Sequence, residues 1–361
     1  MSAMHQKWIF LLFLPLPAFA QQTAVLMASS GAHAAAAPAA SGKPAQRITL
    51  DVVVTDKSGR PVRGLQLQDF TVLDNKQQRN ILSFHAMDAN TAGSLGETIL
   101  LVDAVNTGVE NIGRERQDIG KYLRQNGGKM PNPTSLLFFS DEGTKVQSQP
   151  TTDANALIAD LANMDAYIRT IRRSAGFYGA AERVELSLKT VSSLTAYLSA
   201  RQGRKVLIWI SPGWPILSGP DMMLTEKDER GMFSAIVGAS TSLRLARVTI
   251  YNVDPLGTSD AGGFRTTYYE EFLKGVKSSK QVDYADLSLQ VLAYQSGGLV
   301  LNSSNDVAGE IARCATDADA YYALTIETPV AQQPDEYHAL DVKIGKPGLT
   351  ARTRTGYYAQ P

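Results

Sequence analysis

A single cysteine in 361 residues excludes an intramolecular disulfide and any thiolate cluster. Histidine is scarce as well, at four. Only His85 and His338 fall in segments that read as ordered, one in each β-rich flank, so a Ser-His-Asp or Cys-His centre has nothing to assemble around in the middle of the chain. Charge of one sign is also missing. Lys and Arg total 35 and Asp and Glu total 35, which leaves no global field to draw nucleic acid or an acidic surface. The cationic run Arg201 to Lys205 sits at a helix-to-strand connection, where solvated charge is ordinary. No Gly-x-Gly-x-x-Gly follows the first strand of the central region and no Gly-Lys-Ser/Thr phosphate loop occurs, which argues against nucleotide chemistry. Ile210-Ser211-Pro212-Gly213 lacks the Gly-x-Ser-x-Gly elbow, and Pro212 removes an N–H that an oxyanion hole would use. No enzyme is expected.

What the chain does have is apolar text, 44% hydrophobic, enough to bury a sizeable core. Residues 1–20 carry one Lys, an apolar run from Trp8 and an Ala18-Phe19-Ala20 ending, the layout of a signal peptide. The run is short for a spanning helix and is broken by Pro15 and Pro17, so the expectation is export to a periplasm or the cell exterior without a retained anchor. Residues 21–46, rich in Ala, Gly, Ser and Pro, read as a disordered linker. From Arg47 the alternation Ile48, Leu50, Val52, Val54 opens a β-meander to about residue 90. The tail, 320–358, returns to β text. Strands of this kind cannot stand alone, and the simplest way to bury both flanks is to pair them as a small sandwich.

Between the flanks, residues 97–316 alternate short apolar runs with amphipathic ones. Strands are predicted at 98–102, 134–140, 204–210, 247–253 and 298–301, with an edge strand at 145–149. Helices are predicted at 112–125, 153–162, 181–199, 225–244, 283–296 and 305–316. This pattern predicts a doubly wound, mostly parallel, six-stranded Rossmann-like sheet. Ligands of such sheets bind beyond the carboxyl ends of the strands, which directs attention to Asp103, where ILLVD ends its strand. Cys314, in a helical stretch, reads as a buried small hydrophobe.

The segments VVVTDKSGRPVRGLQLQDFTVLDN, ILLVDAVNT, VLIWISPG, NVDP, SGGLVL, YYALTIE and PGLTARTRTGYYA, spread over Arg47 to Pro361, occur in this order along the chain. In that combination the chain resembles the von Willebrand factor A-related domain proteins typical of exported acidobacterial sequences. The resemblance implies strand order 3-2-1-4-5-6, with the ends of the Asp103 and Ile210 strands side by side. It also implies a cation site made of an Asp-x-Ser-x-Ser turn, a Thr from a second loop and an Asp from a third. Asp103 matches the first Asp and Thr107 the last Ser. Val105 stands at the middle Ser, Ser211 stands at the third-loop Asp, and the stretch RRSAGFYGA offers no Thr. The site is therefore read as degenerate. No cofactor is expected, and Mg²⁺ or Ca²⁺ on Asp103 and Thr107 is the alternative. Asp103 and Asn106 then hold the turn through backbone N–H groups, while Asp141, Glu142 and Asp254 also follow strands.

The aromatic residues suggest a protein partner. Trp209 reads as sheet core, whereas Trp214, Tyr268 and Tyr269, with Phe177, Tyr178 and Phe264, stand in or beside loops as candidate partner contacts. The expectation is an exported, non-enzymatic protein-binding or adhesion-type module that uses the loops at the carboxyl edge of its sheet. Asp103, Asn106, Thr107, Ser211 and Asp254 are the crevice residues in this reading.

Overall fold

The computed structural model describes residues 46–88, 96–125, 127–146, 149–163, 177–215, 224–260 and 268–360. The signal-peptide and linker expectations, Phe264 and the residues 172–176 lie outside them.

The central layer is built on β5 (Glu97–Asp103), β6 (Lys129–Ser140), β9 (Lys205–Ile210), β10 (Val248–Val253) and the two-residue β11 (Val300–Leu301), all parallel. An antiparallel strand, β7 (Gly143–Val146), pairs with the carboxyl half of β6, and another, β8 (Thr151–Asp153), pairs with its amino half. The order is β11-β10-β9-β5-β6-β7, with β8 beside it. Counted along the chain without β8, this is 3-2-1-4-5-6. The sheet thus has seven strands and is mixed, where sequence periodicity gave six. A three-residue strand is too short for alternation to reveal.

The doubly wound arrangement follows from side-chain alternation along strands that are buried on both faces. Leu100 and Val102 of β5 pack with Ile112, Ile119 and Leu123 of α1 (Val109–Arg124), Leu157 of α2 (Ala154–Ala162) and Ile311 and Cys314 of α6 (Val307–Thr316). Ile99 and Leu101 pack on the opposite side with Val191 and Leu194 of α3 (Phe177–Ser199), Leu243 of α4 (Glu226–Leu245) and Leu292 of α5 (Leu289–Gln295). The helix expected at 283–296 is split. An Asp283/Asp286 capping box closes a 3-10 turn over Tyr284–Leu287, and extended Ser288 then caps α5 with its hydroxyl.

The flanks do not form a local meander. β1 (Arg47–Thr55) pairs antiparallel with β12 (Ala320–Glu327), and β4 (Ile81–Asp88) pairs with the other side of β12. With β14 (Thr350–Arg352) these make one four-stranded sheet, ordered β14-β1-β12-β4. The second sheet is β15-β13-β2-β3, where β2 is Phe70–Asp74, β3 Gln77–Arg79, β13 Glu336–Ile344 and β15 Gly356–Ala359. Leu50, Val52 and Leu324 from the first meet Val72, Leu340 and Tyr357 from the second in one core. Each sheet therefore contains strands from both ends of the chain.

This β unit is fastened to the α/β layer by buried polar contacts. The Tyr251 hydroxyl donates to Asp317 Oδ2 at 2.7 Å and accepts from Arg204 Nη2 at 3.1 Å. Arg352 of β14 ion-pairs with the same Asp317 carboxylate and donates to Gly297 O at 2.7 Å. Arg247, just before β10, pairs with Asp51 of β1.

Removing one member leaves the other charges buried and uncompensated, which costs about 3–5 kcal/mol. Arg352→Ala is accordingly expected to lower the melting temperature by roughly 6 °C or more, and Arg352→Lys not to restore it, since an ammonium lacks the fork that spans Asp317 and Gly297. Thermal unfolding of the two variants beside wild type checks this.

Candidate functional site

Asp103 ends a strand buried along all seven residues, so its carboxylate emerges where the backbone leaves the sheet. Oδ1 accepts the backbone N–H groups of Val105 and Asn106 at 2.9 and 2.8 Å. Oδ2 accepts Asn106 Nδ2 at 2.9 Å and the Trp209 indole N–H at 2.9 Å. Trp209 reaches it for a register reason. In the parallel pair, Trp209 lies opposite Leu101, and residues 101 and 103 point to the same face. Burial pushes the Asp103 carboxyl up, while Asn106, Trp209 and Ser211 favour its anion. Asn106 Nδ2 also donates to Ser187 Oγ of α3 at 3.0 Å, so the turn is tied to a helix as well as to the neighbouring strand.

The other expected crevice residues serve the same frame. Ser211 Oγ accepts the Gly213 N–H at 3.1 Å, and Asn252 Nδ2 donates to Ser211 O at 2.7 Å. Asp254 is buried at the end of β10, and its Oδ1 accepts the Leu256 N–H at 2.9 Å. Asp141 and Glu142 lie exposed on the β6–β7 hairpin. Trp214 corrects the sequence expectation: it is 3% exposed, not a surface anchor. Gly213 takes φ +88°, where an added Cβ would lie 2.2 Å from Gln290 Nε2. This left-handed turn folds Trp214 back edge-on against Trp209, with centroids 5.2 Å apart, and its indole N–H donates to Leu287 O at 2.8 Å. Tyr268 and Tyr269 are half-buried in a 3-10 turn, Tyr268–Phe272.

Sequence reasoning missed Glu115. It lies on α1 between Ile112 and Ile119, on the apolar stripe of that helix, and is 1% exposed. An acid at a stripe position was the available signal. Neither of its oxygens has a hydrogen-bond partner, nor do Thr107 Oγ1 and Asn106 Oδ1. Burial holds the Glu115 carboxyl well above the usual range, and Asp103, Asp254 and Asp118 push it the same way; the Thr107 hydroxyl faces it and opposes the shift. Glu310 on α6 is raised to about 7 by burial and by Asp254 and Asp306. Acids thus accumulate around the crevice.

The donors available decide how the implied cation fits. Asp103 does not fit, because N–H groups occupy both its oxygens, and Val105 is apolar and fully buried. Among the described residues no three His, Cys, Asp or Glu side chains converge as a metal cluster. Glu115 and Thr107, each about 1% exposed, add one carboxylate and one hydroxyl, far short of the shell of six or so oxygens that a hard cation takes.

No family model matches the chain, and no curated protein matches it. Solved structures similar to it include proximal thread matrix protein 1 from the mussel byssus, at TM-score 0.34 and 12% identity, covering 65% of this chain and 49% of that one. The chain therefore spans about half the length of the mussel protein. The SpRpn10 VWA domain aligns at TM-score 0.32 and 14% identity over 60% of this chain and 94% of that one. The human COPII-coat protein Sec24c aligns at 0.31 and 7% identity, over 77% and 46%. Likeness at this level is weak and assigns no function.

Two outcomes follow for the frame. Trp209→Phe keeps a ring against Phe139 and Trp214 but strips a donor from a buried carboxylate, at a cost of about 2–3 kcal/mol; urea unfolding is expected to show it. For Glu310, a folded pKa above the ordinary one means that the native state holds the proton more tightly. Its stabilising contribution is complete below about pH 4.5 and is lost as pH rises through about 7. The melting temperature is thus expected to fall between pH 5 and pH 8, and Glu310→Gln to flatten that fall.

Proposed function

We propose that this chain is an exported, non-enzymatic protein-interaction module that presents the surface beside the crevice of its α/β layer to a protein partner. The observation that carries this reading is a group of aromatic residues on and beside α5, the helix whose first turn touches the crevice loop. Tyr268 packs edge-on against Phe272 with centroids 5.2 Å apart. The 3-10 turn Tyr268–Phe272 packs on α5, the helix that carries Tyr294. Tyr294 is 44% exposed. Large rings with polar tips, held on rigid elements, are the usual anchors of protein interfaces.

The neighbouring architecture supports the same reading. Gln290 at the start of α5 donates to Pro212 O at 3.3 Å, which links the helix that carries Tyr294 to the crevice loop. Asp103, Ser211, Asn252 and Trp214 are all engaged with one another or with the backbone. That leaves them as a frame that holds the display surface, with the β-sandwich as a second support. The adhesion-type role and the export rest on the sequence features given above.

The test is binding. The purified protein is immobilised and exposed to the exported protein fraction of its source, with the retained partner then titrated against variants. Tyr268→Ala combined with Tyr294→Ala is expected to weaken binding at least ~10-fold while shifting the melting temperature by no more than about 2 °C. Undiminished binding, or a loss matched by an equal loss of stability, overturns the assignment of this surface. Turnover in an esterase and peptidase screen would replace the reading with a hydrolase.

A further inference from the structure

We propose that the guanidinium groups of Arg354 and Arg244 form an anion-binding site where the β-sandwich meets the end of α4, and that its ligand is a small dianionic oxyanion of the phosphate or sulfate class. The site lies apart from the crevice and stands independently of the partner surface proposed above.

Three observations lead to it. First, Arg354 is 8% exposed and makes no side-chain hydrogen bond or ion pair with any described residue. A guanidinium does not leave such a position by giving up its proton. Burial and then the like charge of Arg244 pull its pKa down to about 10, which still leaves it charged at neutral pH. Second, the carboxylate across from it is already taken. The pairs Val53↔Arg352 and Val54↔Ala351, continued along β1, set Arg354 opposite Asp51, and the Arg247 fork holds both Asp51 oxygens. Third, the rest of the charge here is positive. Arg244, in the last turn of α4, has no side-chain partner either, and its Nε is sealed from solvent. Lys205, 2% exposed, donates only to carbonyls, Ala246 O at 3.1 Å and Arg201 O. Glu97, the other acid that acts on Lys205, is paired with Arg201. Lys205, Arg244, Arg247 and Arg354 thus share one carboxylate.

The packing explains why these groups meet. α4 lies against β15, with Phe233 edge-on to Tyr358 at 6.0 Å between centroids, and Arg354 stands two residues before that strand. Arg244 and Arg247 leave the same end of α4, where the Arg247 N–H donates to Arg244 O at 3.1 Å.

Charge and shape select the ligand. Two uncompensated guanidiniums call for two negative charges, and a tetrahedral oxyanion presents oxygens to two forks, whereas a carboxylate fills one. Entry is from solvent, because Arg244 is half-buried and no nitrogen of Arg354 is sealed as Arg244 Nε is.

The experiment uses the purified protein in a buffer free of phosphate and sulfate, with NaCl holding ionic strength constant so that screening does not vary. Calorimetric titration with inorganic phosphate is expected to show one saturable site per chain, for which sulfate competes. The melting temperature should rise by about 5 °C once phosphate stands ~100-fold above its Kd. Arg354→Met should lose at least ~10-fold in phosphate affinity. It should melt no lower than wild type without the anion, since an uncompensated buried charge is gone, and this shows that the variant folds. Half-buried Arg244→Gln should weaken binding as well, and Arg354→Lys should not restore it, having charge without the fork. Phosphoserine separates the sources of the ligand: affinity equal to that of phosphate assigns the site to an esterified group, and exclusion assigns it to the free ion. The proposal is overturned if neither phosphate nor sulfate binds saturably, or if Arg354→Met binds phosphate as well as wild type. It is also overturned if an acidic peptide binds through these arginines and phosphate does not displace it.

Discussion

The architecture of the crevice depends on a buried carboxylate that receives N–H groups from its own turn and from the neighbouring strand. Asp103 takes two from the backbone of its own turn, one from Asn106 and one from Trp209 on β9. The fold puts β5 and β9 side by side at the point where strand order reverses, and this single group closes the gap between them. Trp209 then braces Phe139 and Trp214, and Trp214 reaches on to Leu287. A chain of contacts runs from the first strand of the layer to the segment that leads into α5.

The second constraint is the joint between the α/β layer and the β-sandwich. Sharing Asp317 between Tyr251 and Arg352, with Arg204 against Tyr251, sets a central strand, a helix end and a sandwich strand in fixed relation. Such a network is costly to leave half-satisfied and rigid when complete. Tyr358 Oη to Val276 O, at 2.9 Å, adds a contact from the sandwich to the segment that follows the aromatic turn. The sandwich thus acts as a buttress for the side of the molecule that carries Tyr268 and Tyr294.

Electrostatics divides the crevice into two parts. Around Asp103 four N–H donors fill the acceptor sites of the carboxylate and lock the turn to β9. Around Glu115 burial and the neighbouring acids raise the carboxyl, and the Thr107 hydroxyl opposes that shift. Both parts lie within the stretch from β5 to α1, so the same short segment provides a locked frame and a buried acid.

The amino-acid sequence by itself determined the central strands and most of the helices, because runs such as ILLV and VLIWI and the stripe Ile112, Ile119, Leu123 carry their periods locally. The order 3-2-1-4-5-6 came from resemblance to a family, not from periodicity. Other features waited on the tertiary structure. Thr49 pairs with Thr325, and no local pattern states which distant strand a strand will choose. Trp214 sits beside Gly and Pro and reads as a loop residue, yet the left-handed Gly213 returns it to the core. Glu115 looks like one more charge on a polar helix until packing encloses it. Local chemistry fixes period and propensity, whereas pairing, burial and the company a charge keeps depend on residues that only the folded chain brings together.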